Sequence, residues 1–188
     1  MLVSHHREKL INAVLFFAAS TKYCGKIKVI KLLYLLDFEH YRQTGRSVTG
    51  LEYHAWKMGP VPIDFYQEWD DLAPDLAQAI TVEPVKVYDF VCEEVRPLQS
   101  FDDSHFTKRE LQIMQALATR CREDMSRPMV NVSHRESGPW DAIWDEGRGN
   151  GQRIPYQLAI DATGAEREEL LHAAREYEGI AAAARSSE

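Results

Sequence analysis

The stretch KLLYLLDFEHYRQTGRSVTGLEYHAWKMGPVPIDFY, residues 31–66, decides which fold this sequence can adopt. Its first half continues a segment from Lys26 that carries apolar side chains on nearly every side of a helix. A helix that is apolar almost all round is typically buried at the centre of a fold. Gly45 follows, as expected of a residue that ends a helix. We therefore predict a central buried helix over about 26–44. Its charged residues are expected to mark the side that faces solvent: Lys28, Lys31, Glu39 and Arg42.

Asp37 lies among the apolar residues of this helix, at a position that the helical spacing directs into the core. A buried carboxylate without partners costs several kcal/mol, so Asp37 is expected to be partnered. The candidates are backbone N–H groups of the 57–62 turn, or a cation such as Lys57 or Arg46. The alternative is a catalytic acid. A structural role is favoured, because the sequence places no second carboxylate or nucleophile to work with it.

The segment after the helix combines alternation with a proline-rich corner. Residues 51–57 (LEYHAWK) alternate and are rich in aromatic side chains, which predicts a short strand. The prolines of the Gly-Pro-Val-Pro corner, 59–62, exclude a helix before them and suit the first turn of a helix after them. A third helix is therefore predicted from about Ile63. Alternation along the strand sends Tyr53 and Trp56 to opposite faces.

Aromatic and methionine side chains are concentrated around this corner. Such side chains dominate the energetics of protein interfaces, and they are equally what a small core uses. The pattern leaves open which of them face the core and which face a partner. The candidate partner-binding residues are Tyr53, Trp56, Met58 and Trp69.

Further elements are predicted on both sides of this stretch. A first helix is expected from a cap at Ser4 to about Ser20. The β-branched segment 81–98 predicts one or two strands, bounded by Pro84 and Pro97.

The second half of the chain has clear signals for helix starts. Thr107–Glu110 and Thr163–Glu166 both fit the capping-box pattern, and the second opens a last helix over about 164–183. A short helix begins before Trp140, and GRGNG (147–151) is expected to be an exposed loop. Together these signals predict an α+β fold that is mainly α: a compact helical domain around the central helix, with a small antiparallel sheet.

Charge is divided unevenly along the chain. The net charge is −7, but residues 1–62 carry nine Lys/Arg against four Asp/Glu, and the remainder is strongly acidic. A nucleic-acid binder would use the basic residues Lys22, Lys26, Lys28, Lys31, Arg42 and Arg46. The overall acidity disfavours this function. The favoured interpretation is that the two parts complement each other inside one fold.

Catalytic and metal-binding signatures are absent from the sequence. It contains no GxSxG, Walker, HExxH or Rossmann pattern, and the three cysteines are not spaced for a metal or a disulfide framework. The segment His134-Arg135-Glu136 with Trp140 could support acid–base work, but a structural role is favoured there too. No segment has transmembrane length, and we expect a cytoplasmic protein without cofactors or metals.

The stretch resembles the Panacea antitoxin domain family, which also includes SocA-like and phage-associated GepA-like proteins. The resemblance is carried by the KLLY helix, the Gly45 turn, the Ala-Trp segment before Gly-Pro-Val, and a tyrosine one turn later. Those residues are Lys31, Leu32, Leu33, Tyr34, Gly45, Arg46, Ala55, Trp56, Gly59, Pro60, Val61 and Tyr66. His134 followed by Trp140 is similar to a later family element. Pro62 directly after Val61 departs from the pattern, since many members have a longer link there.

The resemblance implies a single Panacea-like domain over 1–188, with its core motif at 26–70 and the last helix packed on the body. It also implies a non-enzymatic function, the neutralisation of a toxin encoded beside it by direct contact. An alternative is a proteolytic adaptor that delivers the toxin to an AAA+ protease unfoldase. The remaining alternatives are a nucleic-acid-binding or autoregulatory protein, and an enzyme that uses Asp37 or His134.

Overall fold

Helix α2 (Lys26–Thr44) lies at the centre of the molecule and is buried along almost its whole length. We describe it from a computed structural model, which covers residues 5–87, 89–125, 129, 138–161 and 163–185. The predicted bounds of this helix are confirmed. Gly45 ends it with a φ of 70°, and its N–H donates to the carbonyl oxygen of Tyr41.

The other elements surround α2. The described helices are α1 (His6–Ser20), α3 (Ile63–Glu68), α4 (Pro74–Ala79), α5 (Lys108–Arg120), α6 (Gly138–Trp144) and α7 (Arg167–Arg185). The strands are β1 (Tyr53–Trp56), β2 (Gly59–Pro62), β3 (Ile80–Val87) and β4 (Phe90–Pro97). Short 3₁₀ turns lie at Asp103–His105, Asp145–Gly147 and Tyr156–Ala159. The fold is therefore α+β and mainly α, as the sequence predicts.

The strands form two separate antiparallel hairpins instead of one small sheet. β1 pairs with β2, with Tyr53 opposite Pro62, and β3 pairs with β4, with Ile80 opposite Pro97. Pro84 lies inside β3, opposite Glu93, so it does not bound the strand as expected. Among the described strands β3 pairs only with β4, and an edge strand tolerates a proline at a position that donates no hydrogen bond to its neighbour.

The outer edge of β1 is paired by a segment from far along the chain. The N–H of Ala55 donates to Gln152 O at 2.8 Å, and the N–H groups of Gly151 and Ile154 donate to Ala55 O and Tyr53 O at 2.7 and 2.8 Å. The GRGNG loop was expected to be exposed, and Arg148, Asn150 and Gly151 are exposed. The loop also leads directly into this pairing, and Gly149 is buried against the carbonyl of Ile143.

One of the two predicted capping boxes forms. Thr107 accepts from the N–H of Glu110 at 3.3 Å, and Glu110 accepts from the N–H of Thr107 at 2.7 Å. The second prediction is wrong, because α7 begins only at Arg167 and Thr163 is engaged elsewhere. Its N–H and hydroxyl both donate to the carboxylate of Asp161, at 2.8 and 2.9 Å. The predicted cap at Ser4 lies outside the described residues.

The basic start of the chain forms ion pairs with its acidic remainder. These pairs join Arg7 to Glu68 and Asp75, Lys9 to Glu110, Lys22 to Glu123, and Lys26 to Asp70. The arrangement agrees with the interpretation that the two charge blocks complement each other inside one fold. Within the described part of the chain, no helix is both long and apolar enough to cross a bilayer.

Candidate functional site

Asp37 is the buried centre of a polar cluster. Its Oδ1 accepts from the N–H groups of Val48 and Thr49 at 2.8 and 2.7 Å, and its Oδ2 accepts from the hydroxyls of Thr49 and Tyr53. Burial raises the pKa of Asp37, while these four hydrogen bonds act in the opposite direction. All four donors hold the chain after α2 and the start of β1 against the central helix.

The predicted need for partners at Asp37 is therefore met, but by a different segment. Its described hydrogen bonds come from Val48, Thr49 and Tyr53, so the prediction of the 57–62 turn, Lys57 or Arg46 is wrong. The physical reason is the left-handed Gly45, which turns the chain so that residues 48 and 49 pass back over α2. Periodicity locates the buried face of a helix, but it does not identify the loop that returns to it.

Lys31 of α2 contacts the Gly-Pro corner, which lies about 30 residues later in the chain. Its ammonium group is buried and donates to the carbonyl oxygen of Pro60 at 2.8 Å. All four residues of β2 are buried around this contact. Burial lowers the pKa of Lys31 to about 7. The prediction that Lys31 faces solvent is wrong, because the corner packs directly over it.

Lys28 is buried as well, one turn earlier on α2. Its ammonium group donates to three backbone carbonyl oxygens, those of Lys22, Arg122 and Asp124, at 2.7, 3.2 and 2.7 Å. It thereby joins the loop before α2 to the chain after α5. Burial lowers the pKa of Lys28. Its predicted place on the solvent-facing side is also wrong.

Two of the six basic residues that could have formed a nucleic-acid surface are used inside the fold. Lys28 and Lys31 are buried. The others each meet a described partner: Lys22 meets Glu123, Lys26 meets Asp70 and the ring of Tyr66, Arg42 meets Glu39, and Arg46 lies 5.0 Å from the ring centroid of Tyr177.

The four candidate partner-binding residues separate into two groups. Tyr53 and Trp69 are 1% and 6% exposed and belong to the core, so their assignment to an exposed interface is corrected. Tyr53 faces inward because its hydroxyl reaches Asp37. Met58 is 59% exposed at the tip of the β1–β2 hairpin, and Trp56 is half-buried. These two remain candidates for contact with a partner.

The remaining residues of the predicted set lie within the scaffold. Tyr34 is buried between the rings of Phe38 and Tyr53, with centroid distances of 4.3 and 5.3 Å. Ala55 is fully buried, and Val61 is buried beside it in β2. Gly59 has a φ of 97°, which L side chains rarely adopt, so glycine suits the start of the corner.

Tyr66 and Trp140 support the hairpin from two sides. Tyr66 packs edge-on against Trp56 at 5.3 Å and has the ammonium of Lys26 3.7 Å above its ring centroid. The indole N–H of Trp140 donates to the carbonyl oxygen of Trp56 at 3.1 Å. His134, the other candidate of this region, lies outside the described residues. Among the described residues no group of His, Cys, Asp and Glu side chains could hold a metal ion.

Sequence reasoning missed two members of the cluster around Asp37. Thr49 supplies two of the four donors. Tyr156 packs on Phe38 and Tyr41 at 4.6 and 5.2 Å, and its hydroxyl donates to the carbonyl oxygen of Leu51 at 2.6 Å. No local sequence signal indicates the second contact, since it joins positions 105 apart.

Comparison with known proteins identifies the scaffold built by these residues. The family described as "Antitoxin SocA-like, Panacea domain" matches residues 29–141, more than half of the chain. Comparisons with curated proteins and with solved structures find no match. The matched range runs from the first turn of α2 to α6 and contains Lys31, Asp37 and the Gly-Pro corner. The chain therefore belongs to the SocA-like antitoxin family that carries the Panacea domain.

Proposed function

We propose that this protein is an antitoxin that neutralises a toxin encoded by a neighbouring gene through direct protein–protein contact. The observation that carries the proposal is the family match over residues 29–141. The geometry of the matched region supports it, because its buried charged groups are used to hold the scaffold together. We expect the protein to act in the cytoplasm, where such a toxin would act.

Asp37 bears on the enzymatic alternative. Its carboxylate is fully buried, and both of its oxygens are occupied by donors from the protein itself. A catalytic acid or base must come within hydrogen-bond reach of a substrate. Asp37 cannot do so in this arrangement, so its position favours binding over catalysis as the function of the family scaffold.

The test is co-expression with the product of the neighbouring gene. We expect the neighbouring gene to arrest growth when it is expressed alone. Co-expression with the antitoxin should restore growth, and the two proteins should purify together as a complex. Absence of both the rescue and the complex would refute the proposal. The toxin should also stay abundant while it is inhibited. A toxin whose half-life lengthens when the antitoxin gene is deleted would indicate the adaptor function instead.

The variant Asp37→Asn tests the enzymatic alternative in the same assay. It should lower the amount of folded protein, because an amide cannot accept from four donors. When soluble protein is matched to the wild-type level, we expect the rescue to be retained. A complete loss of rescue by a folded, toxin-binding Asp37→Asn variant would contradict inhibition by contact alone.

A further inference from the structure

An elongated cleft of about 1100 Å³ opens beside the central helix. Its floor is formed by Leu35 and Phe38 of α2 and by Ile113 and Leu117 of α5. Across from them stands Leu158, which is 43% exposed and is one of the few large apolar side chains with such exposure among the described residues. Apolar side chains from α2, α5 and the 156–159 turn thus line the cleft alongside its polar residues.

The rim of the cleft is rich in arginine. Arg109 and Arg120 are exposed at the two ends of α5, eleven positions apart, which corresponds to about 16 Å along the helix. Arg42 lies on the α2 side, where it pairs with Glu39 at 2.6 Å. The second carboxylate that lines the cleft is that of Glu166. Three guanidinium groups against two carboxylates make this a cationic edge on a protein whose net charge is −7.

Shape and charge together select the kind of occupant. The volume of about 1100 Å³ lies just above the range of small-molecule pockets, about 300–1,000 Å³. The cleft follows about three turns of α5. Apolar side chains spaced at i, i+3/i+4 and i+7 fill such a groove when they are presented by an amphipathic helix. Single-stranded nucleic acid needs accessible aromatic faces for its bases to stack on, whereas the two aromatic residues that line this cleft, Tyr34 and Phe38, are buried. Arginines at the rim would pair with carboxylates beside the apolar stripe.

We propose that this cleft binds an amphipathic helix of a partner protein, with an apolar stripe flanked by Asp or Glu. The inference rests on the proposed function in one respect: the natural partner that supplies the helix is the toxin. It assigns the binding surface to the groove between α2 and α5.

The experiment uses the full chain in three forms. Arg109→Glu/Arg120→Glu reverses the cationic rim. Arg148→Glu/Arg175→Glu is the matched control, since it changes the net charge equally at two exposed arginines outside the cleft lining. Circular dichroism and thermal melts first establish that both variants fold like the wild type.

Two sets of probes are measured by fluorescence anisotropy. The first set contains three probes. Two are designed helical peptides of about 16 residues with a leucine face, one flanked by glutamates and the other by lysines. The third is a single-stranded oligonucleotide of similar length. The second set is the purified product of the neighbouring gene. We expect the glutamate peptide and the neighbouring protein to bind the wild type and the control alike. The rim reversal should weaken both by about tenfold or more, and the lysine peptide should not bind.

A second pair of variants tests the apolar part of the cleft. Leu158→Asp should weaken the glutamate peptide, while Leu98→Asp should not, because Leu98 is 58% exposed outside the cleft lining. Both leucines are already open to water, so neither variant should prevent folding.

Each negative result has a distinct meaning. If the neighbouring protein does not bind the wild type, the proposed function fails. Binding of the glutamate peptide then still tests whether the groove accepts an amphipathic helix. If the neighbouring protein binds the rim reversal as tightly as the wild type, or if the glutamate peptide fails to bind the wild type, the groove is refuted. Tighter binding of the oligonucleotide than of the peptide, abolished by the rim reversal, would also overturn it.

Discussion

Lys28 and Lys31 lie one turn apart on α2, and both ammonium groups are buried against backbone carbonyl oxygens. Lys28 has three such acceptors, whereas the described acceptor of Lys31 is the single carbonyl of Pro60. A buried ammonium with one acceptor is poorly compensated for lost hydration. Burying the charged form of Lys31 therefore lowers the stability of the fold, while its hydrogen bond holds the Gly-Pro corner over the central helix.

This imbalance predicts a pH dependence for stability. The folded pKa of Lys31, about 7, lies below its ordinary value of 10.5, so the unfolded chain binds more protons between these limits. The cost of the buried charge is complete below pH 7 and disappears as the pH rises toward 10.5. As the pH rises from 7, the free energy of unfolding of the wild type should therefore increase relative to that of Lys31→Met, by up to about 1.4 kcal/mol per pH unit.

Urea denaturation at several pH values between 7 and 9.5 measures this difference. Lys57→Met is the control, because it removes the same charge from an exposed side chain that stays hydrated when the chain folds. Its difference from the wild type should stay nearly constant with pH. Parallel profiles for the wild type and Lys31→Met would show that Lys31 is charged in the folded protein throughout this range.

The sequence correctly predicts that Asp37 is buried and hydrogen-bonded, although by other partners than expected. It wrongly predicts that Lys28 and Lys31 face solvent. Helical spacing places Asp37 inside, and physical chemistry then demands partners. Lys28 and Lys31 were placed outside on their charge alone. Long aliphatic stems let lysines run through a core to a polar group, and a helix pattern does not show where backbone carbonyls from other segments will lie.

At the scale of elements, the two capping-box patterns make a matched pair. They have the same spacing, but only the one at Thr107 caps a helix. We expect Thr107→Ala to lower the free energy of unfolding by about 1 kcal/mol. Thr163→Ala should change it by less than about 0.5 kcal/mol, since it loses only exposed contacts with Asp161. Equal losses in chemical denaturation would contradict the assignment.

The junction of α2 and α7 depends on a glycine for two reasons. Gly45 has a positive φ, and a Cβ there would lie 2.8 Å from the carbonyl oxygen of Leu170 in α7. Gly151 has a positive φ of 81° with no atom within 4 Å of a Cβ, so it isolates the conformational cost. Gly151→Ala should cost about 1 kcal/mol and Gly45→Ala at least about 2 kcal/mol.

Hydrogen exchange gives this comparison an independent measurement. Gly45→Ala should speed exchange along α7 beyond any global change, because the helix must move away from the end of α2. Gly151→Ala should leave exchange in α7 as in the wild type. If both variants affect α7 equally, close packing at Gly45 is not what holds that helix.

The limits of prediction at this scale follow from the signals themselves. The ends of α2 could be predicted because its apolar surface and Gly45 are local features. The split into two hairpins could not, because strand pairing depends on where distant segments meet. Asp161 likewise accepts from both the N–H and the hydroxyl of Thr163 before α7 begins, and the capping pattern does not contain this contact.

At the scale of the whole molecule, the family match stops before the chain has completed its core. Residues 152 and 154 pair with β1, and Tyr156 packs on α2, all beyond position 141. A fragment of residues 1–150 should therefore keep helices but lose fixed packing, with a weak near-ultraviolet circular dichroism signal and binding of the dye ANS. A fragment of residues 1–165 should keep the near-ultraviolet circular dichroism signal of the full chain. A native-like spectrum for the shorter fragment would refute this dependence.

The strand β1 has one neighbour close in sequence and one far away. β2 follows after two residues, whereas Gln152 and Ile154 are made about 100 positions later, which takes roughly 5–20 s at ordinary rates of translation. Through that interval the outer edge of β1 in each nascent chain has no partner, and an open strand edge readily pairs with the wrong chain. Ribosomes that stall before this segment would thus release molecules inclined to aggregate, so the yield of finished protein depends on how steadily its final third is translated.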